Sequence, residues 1–319
     1  MARSDLIISL AKAANSGDRQ AARKATESLI AEERAKKHTT LARRLNETLS
    51  GYQNGRKPVS EDNRASDLLI KTEPDRCLSS LILNDQVNKE CQTLIEEQHR
   101  ADLLRSYNLE PRNRMLVQGP PGNGKTSLAE AIAYELFLPL YTVRYEGLIG
   151  SYLGETSGRL ARMFEFVRTQ QCVLFIDEFD TIGKERGDEN ETGEIKRVVS
   201  SLLLQIDQLP SHVVVIVASN HPELLDRAVW RRFQLKLTLH KPTRAQLAGW
   251  FEHLLEETEE KPGYTPGSLA KYLYGLSFAE VEDFWMDVKR TWVLGKPSIT
   301  LKQAISKRLS YWKNVVSNE

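Results

Sequence analysis

Residues 115–133 read MLVQGPPGNGKTSLAEAIA: an apolar run, a glycine-rich loop that ends in Lys-Thr, and an alanine-rich segment of helical character. Gly119, Gly124, Lys125 and Thr126 stand at the spacing G-x-x-x-x-G-K-[ST]. Glycines let backbone N–H groups curl around an anion, and the following helix adds its N-terminal partial charge. Lys125 is expected to reach β- and γ-phosphates and Thr126 to ligate Mg²⁺. Pro120, Pro121, Gly122, Asn123 and Ser127 complete the candidate nucleotide contacts. Strand, loop and helix in this order predict an α/β fold.

Working outward, CVLFIDEFD (172–180) is a buried-strand pattern that ends on two carboxylates. Asp177 is the second candidate Mg²⁺ ligand and Glu178 the candidate base that polarises an attacking water. With both acids present, hydrolysis and not binding alone is expected. The apolar runs RMLVQG (114–119), LPLYTVR (138–144), CVLFID (172–177) and VVVIVASN (213–220) alternate with helical patterns. Continuous apolar runs interleaved with helices predict parallel strands covered on both faces. Beyond Pro242 the strand signals stop, and 243–257, 268–275, 277–294 and 300–316 read as helices.

The chain thus divides into a small N-terminal helical domain (1–50), a linker (51–65), an α/β nucleotide-binding domain (66–240) and a C-terminal helical lid (241–319). GYQNGRKPVSEDN (51–63) carries the Gly, Asn, Pro and Ser content of a linker. The 44 basic residues are balanced by 43 acidic ones, so a dedicated duplex-binding protein is not favoured. Cys77, Cys91 and Cys172 are too dispersed for a zinc or redox pair. No secretory leader or membrane-spanning stretch is read, and a cytoplasmic protein is expected.

These motifs resemble the AAA ATPases, in particular the spastin, katanin and FtsH-like branch, across roughly residues 75–290. The resemblance implies a P-loop NTPase core with ATP and Mg²⁺ as cofactors. VVVIVASN followed by HPELLDRAVWRRF (221–233) is similar to the region that sets AAA proteins apart. By that likeness Asn220 is a polar sensor that orients the lytic water. Arg231 and Arg232 match the paired arginines that enter a neighbouring subunit's site, which implies a homo-oligomeric ring, a hexamer by family analogy. GLSFAEVEDF (275–284) resembles the lid motif of the branch, with Phe278 where glycine is common and Ala279 near the position of a lid arginine sensor. Tyr152, Leu153 and Gly154 match an aromatic–apolar–glycine loop that lines the pore of polypeptide-threading rings. GDENETGEIKRVV (187–199) resembles a second pore-facing loop, with Arg197 a candidate intersubunit contact.

The implied function is an ATP-driven protein remodeller acting on polypeptide, with the N-terminal helices as docking elements. The chain carries neither a His-Glu-x-x-His helix nor a Gly-x-Ser-x-Gly elbow. RADLLRSYNLEPRNRMLVQGPPGNGKT (100–126) and LFIDEFDTIGKERG (174–187) are further similar to compact bacterial ATPases encoded beside subtilisin-like serine proteases in plasmid-incompatibility or phage-defence systems. That likeness implies a serine protease partner. The alternatives are a nucleic-acid loader or helper and a nucleotide-dependent binding switch.

Overall fold

The computed structural model describes residues 68–144, 153–180, 191–225, 227–256, 258 and 260–316, all within one unit, Asn63–Glu319. The expectations for the N-terminal helices and linker, for Tyr152 and for the 187–190 part of the second loop lie outside these residues.

In chain order the elements are β1 (Leu69–Thr72), a 3-10 turn (Leu78–Ser80), α1 (Asp85–His99), α2 (Ala101–Ser106), β2 (Arg114–Gln118), α3 (Lys125–Glu135) and β3 (Leu140–Val143). There follow α4 (Leu153–Arg168), β4 (Cys172–Ile176), α5 (Glu191–Asp207), β5 (Val213–Ser219), a 3-10 turn (Pro222–Leu224), α6 (Arg227–Trp230) and β6 (Leu235–Thr238). The chain then continues through α7 (Arg244–Glu256), α8 (Pro266–Tyr272), α9 (Phe278–Gly295) and α10 (Leu301–Val316).

The six strands form one sheet in the order β1-β3-β4-β5-β2-β6. Pairings from β3 through β6 are parallel, as the apolar runs require, whereas β1 pairs antiparallel to β3 at the edge. That edge strand is a departure from an all-parallel reading. Its residues after Leu69 are exposed, so LIKT carries no buried-strand signature.

Alternation along the strands divides the core. Val213, Val215 and Val217 of β5, with Cys172, Leu174 and Ile176 of β4, face α4 and α5 through Leu160, Phe164, Leu202 and Ile206. Val214, Ile216 and Ala218, with Val173 and Phe175, face α1 and α3 through Leu94, Leu128 and Ile132. All residues of β4 and β5 are buried, as expected for strands roofed on both sides. Cys172 is the buried strand residue its setting suggested, and burial pushes its thiol up to about 12.

The last four helices enclose a separate core around Phe251, Phe284 and Trp285. α8 begins two residues before the sequence pattern suggested, because Thr265 caps Ser268 N–H and Pro266 takes the first turn. It ends at Tyr272, and the left-handed Gly275 (φ 105°) then redirects the chain. α9 starts on a capping box. Glu280 N–H donates to Ser277 Oγ (3.3 Å), and Ser277 N–H donates to Glu280 Oε2.

Phe164 on α4 is fully buried against the sheet. Its replacement by Ala is expected to cost about 3–5 kcal/mol, read as a shift in chemical unfolding. A loss below about 1 kcal/mol would show that this face of the sheet is not packed as described.

Candidate functional site

Three adjacent parallel strands, β4, β5 and β2, each deliver one part of the site from their carboxyl ends. This is where open α/β sheets bind ligands. The loop 119–124 leaves β2 and runs into α3. Gly119 sits at φ 140°, and a Cβ there would run into the Leu239 carbonyl, so only glycine lets the loop pass the end of β6. Gly122 (φ 73°) lies under the lid: a Cβ would come within 2.7 Å of Ser277 Oγ. The Gly122 carbonyl accepts a bond of 2.9 Å from Ala279 N–H, tying the first turn of α9 to the loop. Gly124 is the left-handed cap of α3, and the space in front of its Cα is open.

Lys125 is buried beneath the loop and donates to the carbonyls of Gly119 (2.7 Å) and Pro120 (3.0 Å). Burial holds its ammonium below the ordinary lysine range, against the pull of Asp177 and Asp180. Asn123 is also buried. Its amide nitrogen reaches the Pro120 carbonyl (3.2 Å), while its Oδ1 has no partner among the described residues.

Thr126 Oγ1 donates to Asp177 Oδ2 at 3.3 Å, so the two candidate metal ligands, one from the first turn of α3 and one from the end of β4, meet. Asp177 Oδ1 accepts from Glu178 N–H at 2.8 Å. Glu178 adopts φ 45°, a left-handed backbone uncommon outside glycine and the kind of local strain that gathers at functional sites. Asn220, at the end of β5, lines the same cavity as Glu178.

Asp180 is a residue whose part the sequence reading missed. Buried at 3% exposure, it accepts from Ser219 Oγ (2.9 Å) and from Asn220 N–H (3.1 Å), fixing the turn that carries Asn220. Burial alone would raise its carboxyl, but the Ser219 and Asn220 hydrogen bonds hold it below the usual carboxylate range. Its signal was the third acid of DEFD, two positions beyond Glu178.

The cavity over the loop has a volume of 470 Å³. Its apolar end is walled by Leu81, Ile82 and Leu83 on one side and by Trp250 of α7 and Phe278 of α9 on the other. Phe278, noted as a departure from the lid motif, therefore faces the site. Trp250 had no local signal, since only folding of the lid brings it there. The candidate contacts Pro121 to Ser127 line the cavity, whereas Gly119 and Pro120 support the loop from behind through Lys125.

Neither Arg231 nor Arg232 lines this cavity. Arg231 is exposed. Arg232 Nε lies 3.3 Å from Asp207 Oδ2, and Asp207 Oδ1 also takes Arg114 Nη1 at 2.8 Å. Leu153 and Gly154 form the start of α4. Arg197 lies in α5, its side chain outside the description.

An open cradle above Gly124, a buried lysine, an orphaned Asn123 oxygen and a Thr–Asp pair fit a nucleoside triphosphate with a hard divalent cation. Among the described residues no cluster of three or more His, Cys, Asp or Glu offers a metal site built from protein alone, and Mg²⁺ bound with substrate phosphates needs none.

The profile of the ATPase family associated with various cellular activities (AAA) matches residues 115–241. An uncharacterized AAA family ATPase of Sinorhizobium fredii, y4kL, is 37% identical over 290 residues, covering 88% of this chain and 87% of that protein. A putative 26S proteasome regulatory subunit homolog of Methanothermobacter thermautotrophicus is 32% identical over 213 residues, 64% of this chain and 56% of that one. ATP-dependent zinc metalloprotease FtsH 1 of Salinibacter ruber is 33% identical over 174 residues, 52% of this chain and 25% of that one. The match thus extends over most of the first relative but only about half or less of the other two. With a family member aligned along nearly its whole length, the chain belongs to the AAA family of ATPases.

Proposed function

We propose that the chain is a protein-remodelling motor whose nucleotide site is completed by a neighbouring copy in a ring. The observation that carries this reading is the separation within one chain. Loop, acids and Asn220 converge on one cavity, while the arginine pair stands outside it. An arginine that stabilises charge on a transferred phosphoryl group is worth about 10³–10⁵ in rate, and a chain lacking one at its own site gains it from a partner.

In this reading the backbone N–H groups of 121–127 and Lys125 hold the phosphates, while Thr126 and Asp177 hold Mg²⁺. Bound Mg²⁺ neutralises charge on the β- and γ-oxygens. Glu178 takes the proton of the attacking water, Asn220 orients that water, and Asp180 keeps Asn220 in place. Arg231, exposed and free of ion pairs among the described residues, projects toward the neighbour's site. Arg232 is held back by Asp207 and sets the position of the turn.

The direct lid-to-loop bond, Ala279 N–H to Gly122, makes lid position sensitive to what the loop holds. A lid that moves with nucleotide state transmits each cycle to the next subunit. Tyr152, with Leu153 and Gly154 at the start of α4, then grips extended polypeptide in the pore of a hexamer. The N-terminal domain (1–50), joined by the linker (51–65), recruits the substrate. Residues 66–240 form the motor core and 241–319 the lid. A separate serine protease, of the subtilisin-like kind, is the partner that receives the substrate or is regulated by the motor. Three free cysteines and the lack, among the described residues, of any helix long and apolar enough to cross a membrane are compatible with a reducing cytoplasmic setting.

Glu178→Gln should lower turnover about 10²-fold or more while keeping ATP bound. Arg231→Ala should lower it about 10³-fold at unchanged ATP affinity. Mixing these two inactive variants should restore part of the activity, because one supplies the acid and the other the arginine. Wild-type turnover by a monomer of Arg231→Ala would sink the ring reading.

Tyr152→Ala should retain ATP turnover within about twofold yet lose processing of a folded protein substrate, on the argument that uniform nucleotide binding is untouched. Equal substrate processing by Tyr152→Ala would favour a nucleotide-dependent switch over threading.

A further inference from the structure

The nucleotide cavity is lined by two cationic side chains, Lys125 and Arg76, against the acidic Asp177, Glu178 and Glu282. Lys125 is anchored to the loop carbonyls and, in the reading above, serves the β- and γ-phosphates. The lid wall, formed by Trp250, Phe278, Ala279 and Glu282, contributes no cation to the lining and one carboxylate. The side-chain cations that this lining offers a polyphosphate, besides any bound Mg²⁺, are therefore Lys125 and Arg76.

Arg76 precedes the 3-10 turn, and the stretch after it (Ser80 to Leu83) walls the apolar end of the cavity. Its guanidinium is fixed against α3. Nη1 donates to Ser127 Oγ at 2.9 Å, and Nε lies 3.8 Å from Glu130 Oε2 on the next turn of α3. Ser127 follows Thr126 in the first turn of α3, where the helix N–H groups face an anion. With 46% of its side chain exposed, Arg76 retains donors open to the cavity.

We propose that Arg76 is a second cation of the nucleotide site, placed between the apolar base wall and the first turn of α3, where it binds the phosphate nearest the ribose. Ser127 and Glu130 hold it ready, so the contact costs little ordering when nucleotide arrives. It replaces from the N-terminal approach the charge that the lid does not supply. This inference rests on reading the cavity as the ATP site.

The phosphate nearest the ribose is common to ATP and ADP, so Arg76 contributes affinity for both and no discrimination between them. Binding of fluorescent ATP and ADP analogues to the full chain tests this, alongside steady-state turnover. Arg76→Ala and Arg76→Gln should each weaken both nucleotides about tenfold, the scale of one charge-assisted hydrogen bond. KM should rise by a similar factor, with kcat at saturating ATP within about twofold. Arg76→Lys should recover part of the affinity, which a purely structural role of the guanidinium would not give. Unchanged affinity in correctly folded Arg76→Gln, or a loss confined to ATP, overturns the proposal, provided that Lys125→Ala abolishes binding. Should Lys125→Ala bind as the wild type does, the reading of the cavity itself fails. If Arg76→Ala does not fold, Arg76→Gln, which keeps a polar side chain without the charge, should still weaken ATP and ADP to the same extent.

Discussion

The parallel pairing of β4, β5 and β2 is the constraint on which the rest of the molecule depends. Gln118 stands level with Ser219, and Ile176 with Val217. β5 and β2 end level with each other, and β4 ends two residues below them. The ladder runs on past the formal strand ends, since Gly119 N–H reaches the Ser219 carbonyl and Phe179 N–H the Ala218 carbonyl. A slip of one residue between β4 and β5 would turn Val213, Val215 and Val217 toward the wrong layer. It would also separate Asp177 from Thr126. Burial of both sheet faces thus sets the spacing of the phosphate site.

The site is nevertheless held by polar contacts that the sheet alone does not supply. Asp180 anchors the start of the Asn220 turn, and Asp177 receives both Thr126 and the backbone of Glu178. These are bonds to carboxylates, which are stronger than neutral ones, and the one from Asn220 N–H is partly buried. The left-handed backbone at Glu178 is tolerated because the bonds on either side of it leave few alternatives. Order in the sheet and strain at its edge are two aspects of one arrangement.

Much of this was legible in the sequence. Four apolar runs gave four of the strands, because strands roofed on both faces cannot hide their composition. The loop and the Asp177–Glu178 pair were legible because phosphate binding demands glycines and a lysine at fixed spacing. Less legible were β1, whose edge position exposes three of its four residues, and α8, whose bounds depend on a cap and not on periodicity. Trp250 and Arg76 could not be found locally at all. Each reaches the cavity from an element more than forty residues from the loop, and only the packing of α7 and the path of 76–83 bring them there.

The arginine pair shows how two adjacent residues of one type become inequivalent. Asp207 closes α5 and accepts from Arg114 at the start of β2 and from Arg232 beyond α6. Both arginines are about a quarter to a third exposed, so the contact is screened and its direct energy is modest. Its geometric effect is larger. It fastens the turn after α6 to the end of the sheet opposite the phosphate loop, with Val229 and Phe233 buried beside it. Arg231, one residue earlier, is thereby turned out to solvent with no ion pair of its own among the described residues. A long cationic side chain held at its base and free at its tip suits contact with another molecule, because its position is set before the encounter. The carboxylate that holds Arg232 at the turn leaves its neighbour Arg231 exposed.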